Sequence, residues 1–231
     1  MKFIELNKRI SRSLLKLEED IDQIFIEKIR NASFNSAVII ELGGVSRPVL
    51  SLSDKYEYIG IDIDSNFVFD QYYNEFYCQS VEDKIDLKAD LIFSKYLMEH
   101  VKNVKISYEN QFTMLNVGGR SIHLYPLGYH PFSLANKLLG NNIARKLIPI
   151  LRKGSEIHTG YPAYYSLGNA YKLERFFRKK GINAKFKYHY GALDYFTFFI
   201  PLAFIIFIFN SISRKFNLKI FASNVIVEFE K

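Results

Sequence analysis

The sequence predicts an α/β fold with a mostly parallel sheet and helices on both of its faces. With 231 residues, of which 48% are hydrophobic and 24% charged, the chain has a globular composition and the length of about one domain. Short apolar runs alternate with stretches of helical periodicity, which is the pattern of strand–helix–strand units. We find no internal repeat and no linker rich in Pro or Ser, so we expect a single domain over residues 1–231.

Seven segments have the character of strands, several of them with the continuous apolar run of a strand buried on both faces. The first predicted strand ends at Gly43-Gly44, and the second ends at Asp62. The seven segments are residues 37–42, 58–61, 76–78, 90–93, 121–125, 184–190 and 224–229.

Helical periodicity occupies the ends of the chain and several connections between the strands. We expect one N-terminal helix in residues 1–35, a basic amphipathic helix in residues 131–153, and a helix over residues 167–180 that Gly181 ends. Residues 66–73 and 101–115 have room for two more. We therefore divide the domain into a helical extension (1–35), a core (36–130) and a C-terminal part (131–231) with the last helices and strands.

Charge and cysteine content limit the binding partners and the cellular compartment that we expect for the protein. The chain has 31 Lys and Arg against 24 Asp and Glu, a net charge of +7 and a pI near 9.2. Such a balance suits nucleic acid, an anionic membrane surface or an acidic substrate, or it serves solubility alone. The single Cys78 allows no internal disulfide and no thiol cluster for a metal. Because the first residues contain no secretory signal, we expect a cytoplasmic protein without a metal site.

Two motifs lie at the ends of the first two predicted strands. Glu41 precedes Gly43-Gly44, and glycine permits a tight strand-to-helix turn whose backbone N–H groups can approach a ligand. Asp62 comes nineteen residues after Gly43, and a carboxylate about twenty residues on is where doubly wound folds bind a ribose diol. Together the two motifs predict a cofactor with a ribose at one edge of the sheet.

These motifs resemble those of class I S-adenosylmethionine-dependent methyltransferases, most closely the type 11 branch that acts on small molecules. The resemblance lies between Ile39 and Tyr125, in residues 41–47, 60–64, 79–83, 89–101 and 112–120. It implies a Rossmann-like doubly wound sheet of seven strands with the last strand antiparallel, and S-adenosyl-L-methionine as the cofactor. The cofactor-binding residues that it implies are Glu41, Gly43, Gly44, Asp62, Ile63, Ser80, Val81 and Ser94.

The first motif departs from the family pattern, because Val45 and Arg47 stand at two positions that are glycines in the family. A dinucleotide cofactor is disfavoured, since the third glycine of its fingerprint is absent and Glu41 would face a pyrophosphate. One alternative stays open: a binding or scaffold protein on the methyltransferase fold whose cofactor loop has decayed.

Catalytic candidates follow the fourth predicted strand, at the edge where ligands bind in such sheets. His100 is the first candidate for the base that an acceptor hydroxyl requires, with Tyr96 beside it. An orienting role for His100 at a helix start is an equal alternative. Glu99 is interpreted as an acid that the helix dipole stabilises. His123 and the tyrosines of residues 161–165 are further candidates for the acceptor side.

Residues 196–209 form an uncharged segment rich in Phe and Ile. As a helix, these fourteen residues would span about 21 Å, which is less than the roughly 30 Å of a bilayer core. Because Arg214, Lys215 and Lys219 follow, we expect residues 196–219 to lie in an anionic membrane interface. A core helix or a homodimer contact is the alternative.

The sequence and the resemblance together predict a methyltransferase with a small-molecule, saccharide or lipid-linked acceptor near a membrane. A nucleic-acid methyltransferase is a weaker alternative, since the chain has no Asn/Asp-Pro-Pro-Tyr/Phe motif for a flipped base.

Overall fold

A computed structural model describes residues 13–45, 47–66, 68–135, 137–138, 161–197 and 199–231. Three of the sequence-based predictions therefore fall partly outside the described residues. They are the first twelve residues of the N-terminal helix, most of the basic amphipathic stretch 131–153, and Phe198 in the apolar segment.

A seven-stranded sheet forms the centre of the described structure, with the strand order β3-β2-β1-β4-β5-β7-β6. Strands β1 to β5 pair in parallel, whereas β7 runs antiparallel to both β5 and β6. The predicted mostly parallel sheet with an antiparallel last strand is thus confirmed. The strands are β1 (Val38–Leu42), β2 (Glu57–Asp62), β3 (Glu75–Cys78), β4 (Ala89–Lys95), β5 (Leu115–Pro126), β6 (Ala184–His189) and β7 (Asn224–Glu230).

The helices that accompany these strands include α1 (Ile21–Ser33), α2 (Val104–Met114), α3 (Ala170–Lys180) and α4 (Ile200–Lys215). Residues 131–135 and 137–138 are also helical. Asn169 caps the start of helix α3, where its side chain accepts a hydrogen bond from the Lys172 amide at 3.1 Å, and Gly181 caps its end in the left-handed conformation. The predicted glycine stop is therefore confirmed. Short 3-10 helices cover Met98–His100, Leu193–Phe196 and Lys219–Phe221.

The N-terminal helical region is not one helix. Residues 13–15 are helical, residues 16–20 are not, and α1 begins only after Asp20. The Asp20 carboxylate accepts a hydrogen bond from the Gln23 amide at 3.0 Å. Asp at this position favours the start of a helix over its interior, which explains the break that the apolar periodicity did not indicate.

The connection from β1 to β2 contains no helix in its described residues, which are 43–45 and 47–56. The expected strand-to-helix turn after Gly43-Gly44 is therefore wrong. Pro48 disfavours the helical conformation of the residue before it. The connection is instead held by hydrogen bonds from the Val49 and Leu50 amides to side chains of β1 and β2. Residues 66 and 68–73 also contain no helix.

Helices nevertheless cover both faces of the sheet, because α1 takes the face that this connection leaves open. Phe25 and Ile29 of α1 pack with Ile39 of β1 and residues of β2, β4 and β5. On the opposite face, Ile40 packs in a second cluster that includes residues of α2 and α3. Neighbouring residues of β1 thus face opposite sides of the sheet, as strand geometry requires.

Strand β5 begins directly after α2 and contains an irregularity. Its pairing with β4 moves from Ala89–Leu115 to Leu91–Arg120, so residues 116–119 form a bulge. Gly118 has a φ of 78° there. The strand therefore begins at Leu115, earlier than the predicted residue 121.

Candidate functional site

The two sequence motifs lie side by side at the carboxyl edge of the sheet. Strand β1 pairs with β2 so that Glu41 lies opposite Gly60 and Leu42 opposite Ile61. Beyond this pairing, the Gly43 amide donates a hydrogen bond to the Ile61 carbonyl at 2.9 Å. Gly43 has a φ of 79°, a conformation that glycine adopts at little cost. The glycine turn and Asp62 at the end of β2 therefore share one edge.

Asp62 presents its carboxylate at this edge. Its Oδ1 accepts a hydrogen bond from the Asp64 amide at 2.8 Å, and the side chain is partly buried. Burial raises the pKa of Asp62, although the backbone N–H groups of Asp64 and Ile63 oppose the shift. Ile63 beside it is 59% exposed. An acceptor of hydrogen bonds and an apolar side chain thus stand together at the end of β2.

Glu41, in contrast, points into the protein and is 1% exposed. Its carboxylate accepts hydrogen bonds from the Val49 amide at 3.2 and 3.3 Å, from the Tyr73 hydroxyl at 3.2 Å and from the Tyr58 hydroxyl. Burial raises the pKa of Glu41 to about 7, and these hydrogen bonds limit the rise. The carboxylate therefore anchors the connection after the glycine turn, and its oxygen atoms face protein groups.

The segment after β3 reaches the same edge and is tied to the start of α2. The Ser80 amide donates to Asp83 Oδ2 at 3.3 Å, and Ser80 Oγ accepts from the Glu82 amide at 3.2 Å. Glu82 in turn accepts from the Lys102 and Asn103 amides at 3.0 and 3.2 Å. Val81 is partly buried and packs against the core.

Ser94 at the end of β4 has its side chain inside the protein, in a chain of buried polar groups. Its Oγ lies 2.7 Å from His123 Nδ1, and His123 Nε2 lies 2.7 Å from Ser121 Oγ, which donates to Gln111 at 2.9 Å. Because the Ser121 hydrogen goes to Gln111, His123 donates from Nε2 and accepts from Ser94. Burial lowers the pKa of His123 to about 3. His123 is thus a neutral core residue, and it does not line the acceptor side.

Tyr96 is directed toward α1. Its hydroxyl donates to Asp22 Oδ2 at 3.2 Å, and Lys95 forms a 2.8 Å ion pair with the same carboxylate. The residue has a φ of 57°, which is uncommon for a side chain of this size. These contacts connect the end of β4 to the N-terminal helix.

His100 lies one turn beyond Tyr96, with its ring 28% exposed. Its Nδ1 lies 3.0 Å from the Pro162 carbonyl, and since a carbonyl oxygen only accepts, Nδ1 carries the hydrogen. Nε2, which then carries the lone pair of the neutral ring, lies 3.8 Å from Glu99 Oε1. Burial lowers the pKa of His100, so the neutral form is favoured.

Glu99 is a buried carboxyl group whose burial the sequence pattern did not indicate. Its side chain is 6% exposed, and burial raises its pKa to about 8. Its Oε2 has no hydrogen-bond partner in the described part of the chain. Its direct neighbours are the apolar Met98 and the polar His100, so the sequence offered no clear signal of this burial.

Known proteins resemble this chain in structure rather than in sequence. No protein-family model matches the chain, and no curated protein matches it. A SAM dependent methyltransferase from Archaeoglobus fulgidus superposes with a TM-score of 0.56 at 12% identity, over 89% of this chain and 91% of that one. The YcgJ protein from Bacillus subtilis gives 0.53 at 13% identity, over 89% and 97% of the two chains.

A third similar structure is the N-methyltransferase NodS from Bradyrhizobium japonicum in complex with S-adenosyl-L-homocysteine. It gives a TM-score of 0.50 at 9% identity, over 92% of this chain and 88% of that one. Identities this low establish a likeness of fold only. The three superpositions, the strand order 3-2-1-4-5-7-6 and the antiparallel β7 together show that the chain has the fold of class I S-adenosylmethionine-dependent methyltransferases.

Proposed function

We propose that the protein is an S-adenosylmethionine-dependent methyltransferase that acts on a small-molecule, saccharide or lipid-linked acceptor. The observation that carries the proposal is the placement of the Gly43 turn and Asp62 on neighbouring strands at one sheet edge. Ligands bind at this edge in doubly wound sheets. When bound, the cofactor supplies an electrophilic methyl group, so the protein contributes alignment and exclusion of water.

The side chains at this edge fit an adenosyl group. Asp62 offers carboxylate oxygens to ribose hydroxyls, and Ile63, which is 59% exposed, offers an apolar surface to the adenine. Ser80 Oγ accepts from the Glu82 amide, which leaves its own hydrogen to donate. Gly43 and Gly44 set the course of the backbone beside them. The buried Glu41 supports the site indirectly, by holding Val49.

We propose different roles for the two catalytic candidates of the sequence. His100 keeps an accepting Nε2 beside the acceptor side and is one candidate base. Tyr96 donates its hydroxyl hydrogen to Asp22, so we assign it to the contact between β4 and α1.

Calorimetric titration with S-adenosylmethionine and S-adenosylhomocysteine tests the cofactor site. We expect Asp62→Ala to bind about 10- to 150-fold more weakly, because a charge-assisted hydrogen bond contributes about 1.5–3 kcal/mol. Asp86→Ala, at an exposed position away from the turn, is the matched control. Equal affinities of wild type and Asp62→Ala would contradict the assignment of Asp62. A wild-type protein that binds neither compound at millimolar concentration would favour the scaffold alternative.

We also propose that α4 associates with a membrane surface. The helix buries Ala203, Ile206, Asn210 and Ser213 and exposes an apolar stripe on its other side. No helix among the described residues has both the length and the apolar character needed to cross a membrane, so the stripe would lie in the interface. We define the stripe by its exposed residues Phe204, Ile205, Ile208 and Ile212.

The cations after the stripe contribute less than their sequence suggests. Arg214 donates to the Tyr190 carbonyl at 3.0 Å, and Lys219 pairs with Glu174 at 2.8 Å. Lys215 Nζ lies 5.9 Å from the centroid of the Phe216 ring. We therefore expect the apolar stripe to supply most of the membrane binding, and anionic lipid to strengthen that binding.

Flotation with vesicles of phosphatidylcholine, with and without phosphatidylglycerol, tests this surface. We expect Ile208→Glu to reduce binding about 10- to 150-fold, because transferring such a side chain from water contributes about 1.5–3 kcal/mol. Tyr171→Glu on α3, where Tyr171 is 51% exposed, should leave binding unchanged. Wild-type protein that does not float but forms a dimer in sedimentation, lost in Ile208→Glu, would show that the stripe is a dimer contact.

A further inference from the structure

A buried carboxyl group lies on the β4–β5 side of the sheet edge, apart from the glycine turn. It belongs to Glu99, in the 3-10 helix Met98–His100 that follows β4. The side chain is 6% exposed, and its Oε2 has no partner in the described residues. Buried polar groups in folded proteins are almost always paired, so an unpaired carboxyl oxygen indicates a ligand or a function.

Glu99 lines a narrow crevice at this edge. The crevice is bounded by Met98, by Tyr125 near the end of β5, and by Tyr165 and Gly168 of the segment before α3. The backbone carbonyl of Glu99 accepts hydrogen bonds from the Tyr164 and Tyr165 amides, at 2.7 and 3.2 Å. The segment 164–168 therefore forms a wall that must move for a ligand group to reach the carboxyl oxygen.

The position of the crevice separates it from the residues proposed to hold the cofactor. The glycine turn and Asp62 stand on β1 and β2, whereas the crevice lies at the ends of β4 and β5. Strand β4 pairs directly with β1, so the two places are adjacent along one edge. An acceptor in the crevice would thus lie beside a cofactor on β1 and β2.

We infer that Glu99 accepts the proton that the methyl acceptor loses, and that the acceptor presents an N–H or O–H group to Glu99 Oε2. This inference rests on the proposed function. As the acceptor nitrogen or oxygen forms its bond to the methyl carbon, its proton passes to Glu99 Oε2. The bond between methyl carbon and sulfur breaks at the same time, and its electron pair stays on sulfur. Acceptors that have no proton to lose, such as a tertiary amine or a thioether, do not require this group.

The surroundings of Glu99 suit proton transfer. The titratable neighbours of Glu99 include the His100 ring, the hydroxyls of Tyr96 and Tyr125, and Tyr165 in the crevice wall. None of these supplies a fixed positive charge, and the pKa of Glu99 is raised to about 8 by burial. A base is most effective when its pKa lies near the working pH, so burial of Glu99 suits it to this role.

The first test follows the Glu99 carboxyl by ¹³C NMR in the full chain labelled with [¹³C]glutamate, and Glu99→Gln assigns the signal. The probes are methylammonium, which has N–H donors, and tetramethylammonium, which has the same charge and none. We expect methylammonium to lower the pKa of Glu99 by about 1 unit or more, since a nearby opposite charge favours the carboxylate. Equal effects of both ions, or none, would overturn the inference. This titration needs no cofactor, so it stands even if cofactor binding fails.

The second test measures transfer of a tritiated methyl group to the lipid and aqueous fractions of a cell extract. We expect Glu99→Gln to lower the turnover about 10²- to 10⁴-fold while its affinity for S-adenosylhomocysteine stays within twofold of wild type. Glu109→Gln, on the surface of α2, is the matched control. Retention of turnover by Glu99→Gln, together with loss in His100→Gln, would overturn the inference and assign the base to His100. Absence of cofactor binding by wild type would instead reject the proposed function.

Discussion

At the scale of single residues, two buried glutamates illustrate how packing decides a role. Glu41 and Glu99 are both nearly inaccessible, and burial raises the pKa of both. Glu41 is surrounded by the Val49 amide and two tyrosine hydroxyls, whereas Glu99 Oε2 is unpaired. The first is therefore a structural anchor and the second a candidate for chemistry. The sequence pattern instead indicated cofactor binding for Glu41 and a dipole-stabilised acid at a helix start for Glu99.

Gly44 provides a test of the Glu41 anchor. A Cβ atom at this position would collide with the Tyr73 hydroxyl and the Glu41 carboxyl group. We expect Gly44→Ala to lower the free energy of unfolding by about 1–3 kcal/mol, the usual cost of overpacking, as measured by urea denaturation.

The Tyr73→Phe background serves as the control for this prediction. It removes the hydroxyl that the new Cβ would meet, so the cost of Gly44→Ala should become smaller there. An equal cost in both backgrounds would contradict the contact.

At the scale of elements, the substitution of α1 for a crossover helix is the main departure from the expected arrangement. Residues 66–73 and the connection after β1 form no helix where the structure describes them. Phe25 and Ile29 of α1 fill the face of the sheet instead. Helix α1 is therefore part of the core, and a contact from Tyr96 to Asp22 joins it to the end of β4.

The end of α3 offers a prediction at this scale. Gly181 has a φ of 68°, and its amide donates to the last turn of the helix. The left-handed conformation is unfavourable for an L-residue with a Cβ, so we expect Gly181→Ala to lower the free energy of unfolding by about 1–2 kcal/mol.

Gly181→Asn is the informative comparison, because Asn tolerates this conformation better than Ala does. In chemical denaturation, Gly181→Asn should lower the free energy of unfolding by less than Gly181→Ala does. The same loss for both variants would indicate an effect other than backbone conformation, since no atom lies within 4 Å of a Cβ at this position.

At the scale of the whole molecule, the polar chain around His123 joins three elements across the core. It runs from Ser94 on β4 through His123 and Ser121 on β5 to Gln111 and Ser107 on α2. Each member has a partner, as a buried polar network requires. This hydrogen-bonded network requires a neutral His123, so the stability of the whole protein depends on pH.

We expect His123 to make the protein less stable in acid. Its pKa is about 3 in the folded protein and about 6.5 when unfolded, so the unfolded chain binds the extra proton between these values. Stability from this residue is therefore complete above pH 6.5 and is lost as the pH falls, by at most about 1.4 kcal/mol per pH unit.

Urea denaturation of wild type and His123→Gln at pH 7, 6 and 5 measures this effect. Glu41 and Glu99 have the opposite effect, because their raised pKa values favour the folded state in acid. Both residues are present in the two proteins, so their contribution cancels when the stabilities are compared. The free energy of unfolding of wild type, relative to that of His123→Gln, should decrease as the pH is lowered from 7 to 5. A constant difference would contradict a neutral buried His123.

The amino-acid sequence by itself determined the seven strands, the glycine stop of α3, and the placement of Gly43 and Asp62 at one edge. Apolar runs and turn residues are local patterns, and parallel neighbouring strands end on the same side. Only the tertiary structure decided that α1 covers one face, that Glu41 turns inward, and that Glu99 and His123 are buried. These outcomes depend on partners distant in the chain, such as Tyr73 for Glu41 or Tyr165 beside Glu99, and burial and pairing of a side chain arise only when those segments meet.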